Sequence, residues 1–391
     1  MRVAVVQDWL ETWAGSERVL VELLEIFPES DLFAVLEFLS PSDRARFKRD
    51  RITTSFIQQL PFARRHFRKY LPIMPFAVEQ FDLCGYDLVI SSCHAVSKSV
   101  ITGPDQLHIC LCHSPPRYAW DMQPQYLEQV GARGVGSWFI RYALHRFRAA
   151  DFQSSARVDR FVAISHYVAR RIRKCYRRES DVIYPPVHIP VVIETVARGA
   201  EYVTVSRFVP YKRIDVIVDA FRHLPDRVLN VIGDGPDADS LRRRATPNVV
   251  FHGALDDNAR DRLVSRSAAF LFAAEEDFGI APLEAQALGV PVIAYSRGGS
   301  AETIRGLDHE SPSGVFFDVQ DAPSLADAIR VYETKRDRIT AAACRANALR
   351  FSTERFRSEF SRYVSGAWDE FQAQRRLALG SGAGRDGNAS T

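Results

Sequence analysis

The stretch AAFLFAAEEDFGIAPLEAQALGVPVIAY (268–295) reads as strand, loop, helix and strand. AAFLFAA (268–274) is an apolar run of strand length, and VPVIAY (290–295) is a second one. Between them Pro282 suits the first position of a helix and Gly289 its C-terminal stop. That placement puts Glu276 in the loop and Glu284 in the first helical turn. A strand, a helix and a strand in so short a span predict two parallel neighbours, since only a crossover joins parallel strands.

The same alternation extends in both directions. EYVTVS (201–206), RVLNVIG (227–233), NVVFHG (248–253) and GVFFD (314–318) read as further strands with helical segments between them. In the first half RVAVV (2–6), DLVISS (87–92), LHICLC (107–112), RFVAIS (160–165) and DVIYP (181–185) read as strands. There ERVLVELLEIF (17–27), SWFIRYALHRFRAA (137–150) and HYVARRIRKCY (166–176) read as helices. Such alternation predicts an α/β protein whose parallel sheets are covered by helices on both faces. Its occurrence twice, in 391 residues, predicts two doubly wound domains, with ligands in the cleft between them. The expected division is 1–187, a linker at 188–200, 201–351, a helix at 352–378 that crosses back to the first domain, and a disordered Gly/Ser-rich tail at 379–391.

Hydrophobic content of 46% and charged content of 25% are those of a globular protein. No run approaches the length of a spanning helix, and MRVAVVQDWLETW lacks the basic start and cleavage site of a signal peptide. A cytoplasmic protein is expected. The six cysteines show no CxxC pair, which fits reduced thiols. Cys110-Leu-Cys112-His113 suits a buried strand better than a metal site. Residues 1–190 hold 25 Lys+Arg against 20 Asp+Glu, and residues 191–391 hold 26 against 28. The basic half is a solvated surface, or a face for anionic lipid or an acidic substrate.

The chemistry concentrates at predicted strand ends. Glu276 and Glu284 are two carboxylates that can each grip a pair of sugar hydroxyls. The N–H groups of Phe278, Gly279 and Ile280 lie near a helix N-terminus and suit sugar or phosphate oxygens. Equally, Glu284 is a capping residue and Glu276 a loop charge. In SRFVPYKR (206–213) Arg207 and Lys212 flank a loop between strand and helix, where paired cations would stabilise a departing diphosphate. Two glycine turns open helices: AGSE (14–17), with Gly15 and Ser16 as N-cap, and GGSAE (298–302), with Ser300 as N-cap. VIGDGPDA (231–238) matches a dinucleotide pattern but has no acidic residue at the next strand end. His113 and His94 each follow a strand, and His94 shares SSCHAVSKS (91–99) with Lys98, which places both on the acceptor side. Asp237 and Asp239 read as helix N-terminal charge, not as metal ligands.

Glu276 and Glu284, separated by seven residues and with Phe-Gly in between, combine with Arg207, Lys212 and GGSAE in a pattern that closely resembles the family 4 retaining glycosyltransferases of the GT-B fold. The wording EEDFGIAPLEAQALGVPVIAYSRGGSAET, with CHSPPRYAWD upstream, resembles the bacterial O-antigen and exopolysaccharide mannosyltransferases of that family. The resemblance runs to about Phe371. It implies two facing Rossmann-like domains with an interdomain cleft and a GDP-mannose or other nucleotide-sugar donor. By the same resemblance Arg207 and Lys212 bind the diphosphate, and Glu284 holds the ribose. Glu276, with the amides of Phe278, Gly279 and Ile280, holds the transferred hexose. Gly15 approaches the diphosphate from the first domain, and His113 sits beside the sugar as a catalytic contributor. Ala14 replaces the first glycine of the family's Gly-Gly turn.

Neither metal, cofactor nor nucleic acid is expected. The acceptor implied is a saccharide on a polyprenyl diphosphate, which requires peripheral contact with an anionic membrane. SFIQQLPFARRHFRKYLPIMPF (55–76), with Arg64, Arg65, Arg68 and Lys69 among Phe62, Phe67 and Tyr70, suits that contact. The same stretch also reads as an amphipathic helix buried against the first sheet. A nucleotide-sugar epimerase of similar architecture, a nicotinamide oxidoreductase and a non-catalytic lipid-binding module are the competing readings.

Overall fold

The computed structural model describes residues 1–129, 131, 134–190 and 198–380. The chain divides into two compact units, Met1–Tyr184 together with the segment from Phe356 onward, and Pro185–Arg355. Part of the linker (191–197) and nearly all of the tail (381–391) expected from sequence lie outside the described residues.

Among the described residues of the first unit, seven strands form one sheet: β1 (Val3–Leu10), β2 (Asp31–Glu37), β3 (Ile52–Thr54), β4 (Leu88–Cys93), β5 (Leu107–Cys112), β6 (Arg160–Ala163) and β7 (Asp181–Val182). Their order is β3-β2-β1-β4-β5-β6-β7, and every pairing is parallel. The second unit adds β8 (Tyr202–Val205), β9 (Leu229–Ile232), β10 (Val249–Gly253), β11 (Ala269–Phe272), β12 (Val292–Tyr295) and β13 (Gly314–Phe317). Their order, β10-β9-β8-β11-β12-β13, is again wholly parallel. Both sheets are doubly wound. In each, strand order reverses once, between β1 and β4 in the first and between β8 and β11 in the second. The crevice at such a reversal, beyond the carboxyl ends of the strands, is where ligands of this architecture bind.

The central strands are buried on both faces, which is why they read as unbroken apolar runs. β2 (DLFAVLE) and the short edge strand β3 add to the strands expected from sequence. β7 is only two residues long, shorter than expected; Pro185 and Pro186, which carry no N–H, follow closely. The helix His166–Tyr176 lies where its periodicity placed it, with Ser165 Oγ accepting from the Val168 N–H at 3.0 Å. The helix Thr353–Gly380 buries Phe356, Phe360 and Val364 along one face. It is tied within the first unit by Tyr363 to Asp181 (3.0 Å) and Arg160 to Glu370 (2.5 Å).

β5 carries a fully buried histidine, His108. Its Nδ1 lies 3.3 Å from the Arg157 carbonyl, which only accepts, so the proton sits on Nδ1 and Nε2 accepts from Ser91 Oγ at 2.8 Å. Burial pushes this imidazole down to about 4. An unfolded histidine is protonated below about pH 6.5, so the unfolded state binds the extra proton across the window down to pH 4. Stability is expected to fall as pH drops through that window, by about 3 kcal/mol in all for this residue. Urea unfolding of the wild type and His108→Gln at both ends of the window checks this; the same loss in both proteins refutes it.

Candidate functional site

The loop after β8 carries Arg207 and Lys212, and the loop after β11 carries Glu276. Because β8 and β11 are neighbours at the reversal of strand order, these loops flank the crevice of the second sheet. There the Lys212 ammonium pairs directly with the Glu276 carboxylate. Burial opposes the ammonium charge and Glu276 outweighs it, so the pKa of Lys212 is raised. Three donors on one ammonium leave N–H directions over for a further anion. Arg207 is exposed, and its guanidinium makes no ion pair among the described residues.

Glycines lock both loops in place. A Cβ on Gly233 would fall 1.8 Å from the Ser206 carbonyl oxygen, and one on Gly299 would fall 2.3 Å from Phe278 Cα. The Phe208 N–H donates to the Asp234 carbonyl (2.9 Å) and the Gly299 N–H to the Glu276 carbonyl (2.7 Å). The glycines of GDGPDA and GGSAE therefore let backbone meet backbone, an alternative to binding a dinucleotide or capping a helix. Ser300, expected as an N-cap, is the first residue of the short helix Ser300–Thr303, and its hydroxyl donates to the Tyr295 carbonyl at 2.7 Å.

The helix Ile280–Ala287 begins two residues earlier than expected, with Gly279 as N-cap and Pro282 in its third position. Its first N–H groups have no intrahelical acceptor, which leaves Ile280 at a place suited to oxygen ligands. The helix stops at Gly289 as expected, where the N–H groups of Gly289 and Val290 return to Gln286 (2.8 Å) and Ala285 (3.0 Å). The earlier start moves Glu284 out of the first turn. It is half-buried, near Arg260, whose pKa is raised because Glu284 and neighbouring aspartates outweigh its burial.

In the first unit the crevice lies between β1 and β4. Gly15 opens the helix Gly15–Ile26 after β1. The cap here is not Ser16 but Ala14, whose N–H donates to the Glu17 carboxylate at 3.0 Å. His94 follows β4 and His113 follows β5. His113 Nε2 lies 2.8 Å from Ser92 Oγ. Burial, reinforced by the nearby His94, pushes His113 down to about 4, so it is a neutral imidazole at physiological pH. His94 Nδ1 lies 2.9 Å from Asp8 Oδ2. Burial disfavours its charge and the Asp8 carboxylate outweighs that, raising its pKa.

Asp8 went unread in the sequence. It is fully buried and accepts four backbone N–H groups, from His94, Ala95, Val96 and Ser97, at 2.6–2.8 Å. Those bonds and His94 hold its carboxyl far below the usual range despite burial. An acid in the middle of a buried strand, VAVVQDWL, was the signal, since a buried charge must be paired.

Lys98, expected on the acceptor side, lies in the core. It is 1% exposed and ion-paired with Asp151, which also accepts from Trp120 Nε1 (2.8 Å) and Tyr176 Oη (3.2 Å). Among the described residues no group of three His, Cys, Asp or Glu side chains is arranged to hold a metal ion.

Two family models match the sequence, Glycosyltransferase Family 4 over residues 13–189 and Glycosyl transferases group 1 over residues 194–351. The GDP-mannose-dependent monoacylated alpha-(1-6)-phosphatidylinositol monomannoside mannosyltransferase of Corynebacterium glutamicum is 35% identical over 143 residues, which are 30% of this chain and 37% of the relative. The alpha-1,3/1,6-mannosyltransferase alg2 of Schizosaccharomyces pombe is 24% identical over 309 residues, 66% of this chain and 56% of the relative. The chain thus matches less than two thirds of the length of these curated relatives. Among solved structures, Anabaena HepE in complex with UDP superposes with a TM-score of 0.68 over 94% of this chain and 100% of that one, at 16% identity. That likeness is one of fold.

Proposed function

From a chain that belongs to the family 4 glycosyltransferases, matched in both halves, we infer an enzyme that moves a hexose from a nucleotide diphosphate to a saccharide acceptor with retention. The observation that carries this reading is the meeting of Lys212 and Glu276 at the strand-order reversal of the second sheet. Lys212 and Arg207 neutralise the departing diphosphate, and Glu276 with the amides of Phe278, Gly279 and Ile280 holds the hexose. Glu284, set by Arg260, takes the ribose. The acceptor hydroxyl attacks the face the diphosphate leaves, and the leaving phosphate takes its proton. Gly15 approaches the diphosphate, while His113 donates to the sugar from a neutral ring and His94 acts on the acceptor side.

The donor we propose is GDP-mannose, supported by the mannosyltransferases among the relatives. Two protein cations do the neutralising, so transfer is metal-independent. The acceptor is a lipid-linked saccharide of cell-surface polysaccharide synthesis. No helix among the described residues is long and apolar enough to cross a membrane; the enzyme therefore visits the cytoplasmic face peripherally, through the basic stretch at 55–76.

Titrating the protein with GDP-mannose, UDP-glucose and NAD, and assaying transfer to a polyprenyl-linked saccharide with and without EDTA, tests the reading. GDP-mannose is expected to bind tightest and transfer to survive EDTA. Preferential NAD binding would overturn the function, and complete loss in EDTA would overturn metal independence.

A further inference from the structure

The helix Gly134–Ser155 has two apolar faces. Ile140, Leu144 and Phe147 pack into the core of the first unit. A helix at a water-facing surface should carry charge opposite such a stripe. Here the opposite side presents Trp138, Phe139, Tyr142 and Phe152, which are 62%, 61%, 53% and 46% exposed. Trp138 stacks on Tyr142 with ring centroids 5.8 Å apart and meets Phe139 edge-on. The charges interspersed are exposed Arg141 and Arg146, and residues 134–150 contain no acid.

A second acid-free segment adjoins this helix. Residues 51–78 contain no Asp or Glu. After β3 the chain continues as short helical pieces, not one amphipathic helix: Phe56–Gln59, Ala63–His66, Phe67–Ile73 and Met74–Glu79, the last ending on the first acid. The piece Phe67–Ile73 packs beside the helix Gly134–Ser155, with Tyr70 and Leu71 against the same core cluster as Ile140. Phe62, Phe76 and Ile73 project from this segment, 76%, 57% and 42% exposed, among exposed Arg64, Arg65 and Lys69. Arg68 is engaged with Glu11 at 2.7 Å.

We propose that the outer face of the helix Gly134–Ser155 is the aromatic anchor of a two-part surface, completed by the segment at 56–76, with which the first unit docks on an anionic lipid bilayer. The inference rests on the peripheral membrane reading above and adds a second element to it. Charge complementarity selects the occupant: cations without acids favour anionic headgroups. Exposed Trp and Tyr rings favour the interfacial depth, where an amphipathic ring has both an apolar and a wet side. The aromatic helix supplies apolar burial and the basic segment supplies attraction, the two components of interfacial binding.

The test uses the full chain and vesicles of phosphatidylcholine with and without phosphatidylglycerol. The wild type is expected to co-sediment with the anionic vesicles, and the emission lost in Trp138→Phe is expected to be the part that shifts to the blue on binding. The triple variant Trp138→Ser, Phe139→Ser, Tyr142→Ser is expected to lose about tenfold or more in vesicle partitioning while GDP-mannose binding stays unchanged. A triple variant that sediments like the wild type overturns the anchor and leaves the basic stretch as the membrane contact. A wild type that ignores anionic vesicles overturns both readings. Self-association of the wild type that the triple variant abolishes, without vesicle binding, assigns the face to a second copy of the chain and overturns the proposal.

Discussion

Replacing Lys212 by alanine is expected to lower kcat/KM about a hundredfold to a thousandfold, as for other preorganised groups that meet developing charge. Arg207→Ala belongs in the same range. The two differ in their partners: Lys212 is paired with Glu276, whereas Arg207 stands exposed without an ion pair among the described residues. Removing Lys212 therefore also frees a carboxylate at the place proposed for the diphosphate. Glu276→Gln in the Lys212→Ala background should cost much less than it does alone, with a coupling of about 1 kcal/mol or more. Arg207→Ala combined with Glu276→Gln should show losses closer to additive. The measurement is kcat/KM for the four members of each cycle with GDP-mannose. Wild-type turnover in both single cation variants would remove the diphosphate assignment, and strict additivity of Lys212 with Glu276 would show that the contact carries no catalytic coupling.

Asp8→Ala should be among the most destabilising substitutions in the first unit. The carboxylate is fully buried and accepts four N–H groups at 2.6–2.8 Å. A buried donor left without an acceptor costs about 1–3 kcal/mol. Relaxation and entering water offset part of that, which leaves a net loss of about 4 kcal/mol or more. Asp8→Asn keeps one acceptor oxygen but turns an NH2 toward the remaining donors, so it should recover less than half of the loss. Urea unfolding at neutral pH reads both values. A loss below about 1 kcal/mol for Asp8→Ala would mean that the turn at His94 stands without its anchor.

The two sheets were legible because parallel strands buried on both faces announce themselves as short apolar runs between turns. All six strands of the second sheet fall on such runs. β2 was missed although its middle, LFAVL, is a buried apolar run of the same kind, here bounded by an acid at each end. Arg207, Lys212 and Glu276 were singled out by pattern. That Lys212 and Glu276 touch was not, because contact across 64 positions follows from strand order, which local sequence does not encode. Lys98 illustrates the converse: a lysine five positions past the end of β4 looks available to a ligand, and only the fold shows its pairing with Asp151 in the core. The aromatic helix was recognised as a helix, but its second apolar face could not be told from a core face until its neighbours were placed.

If the second crevice holds the sugar donor as proposed, its glycine contacts bear on how donor specificity can be exchanged between relatives. The loop bearing Arg207 is pinned by Gly233, and the loop bearing Glu276 by Gly299, each through backbone atoms that leave no room for a methyl group. Transplanting either loop alone would set a foreign backbone against a glycine turn shaped for another. A working chimera must carry loop and turn together, as a cassette of two segments distant in sequence, whereas single side chains can be exchanged without disturbing that backbone contact.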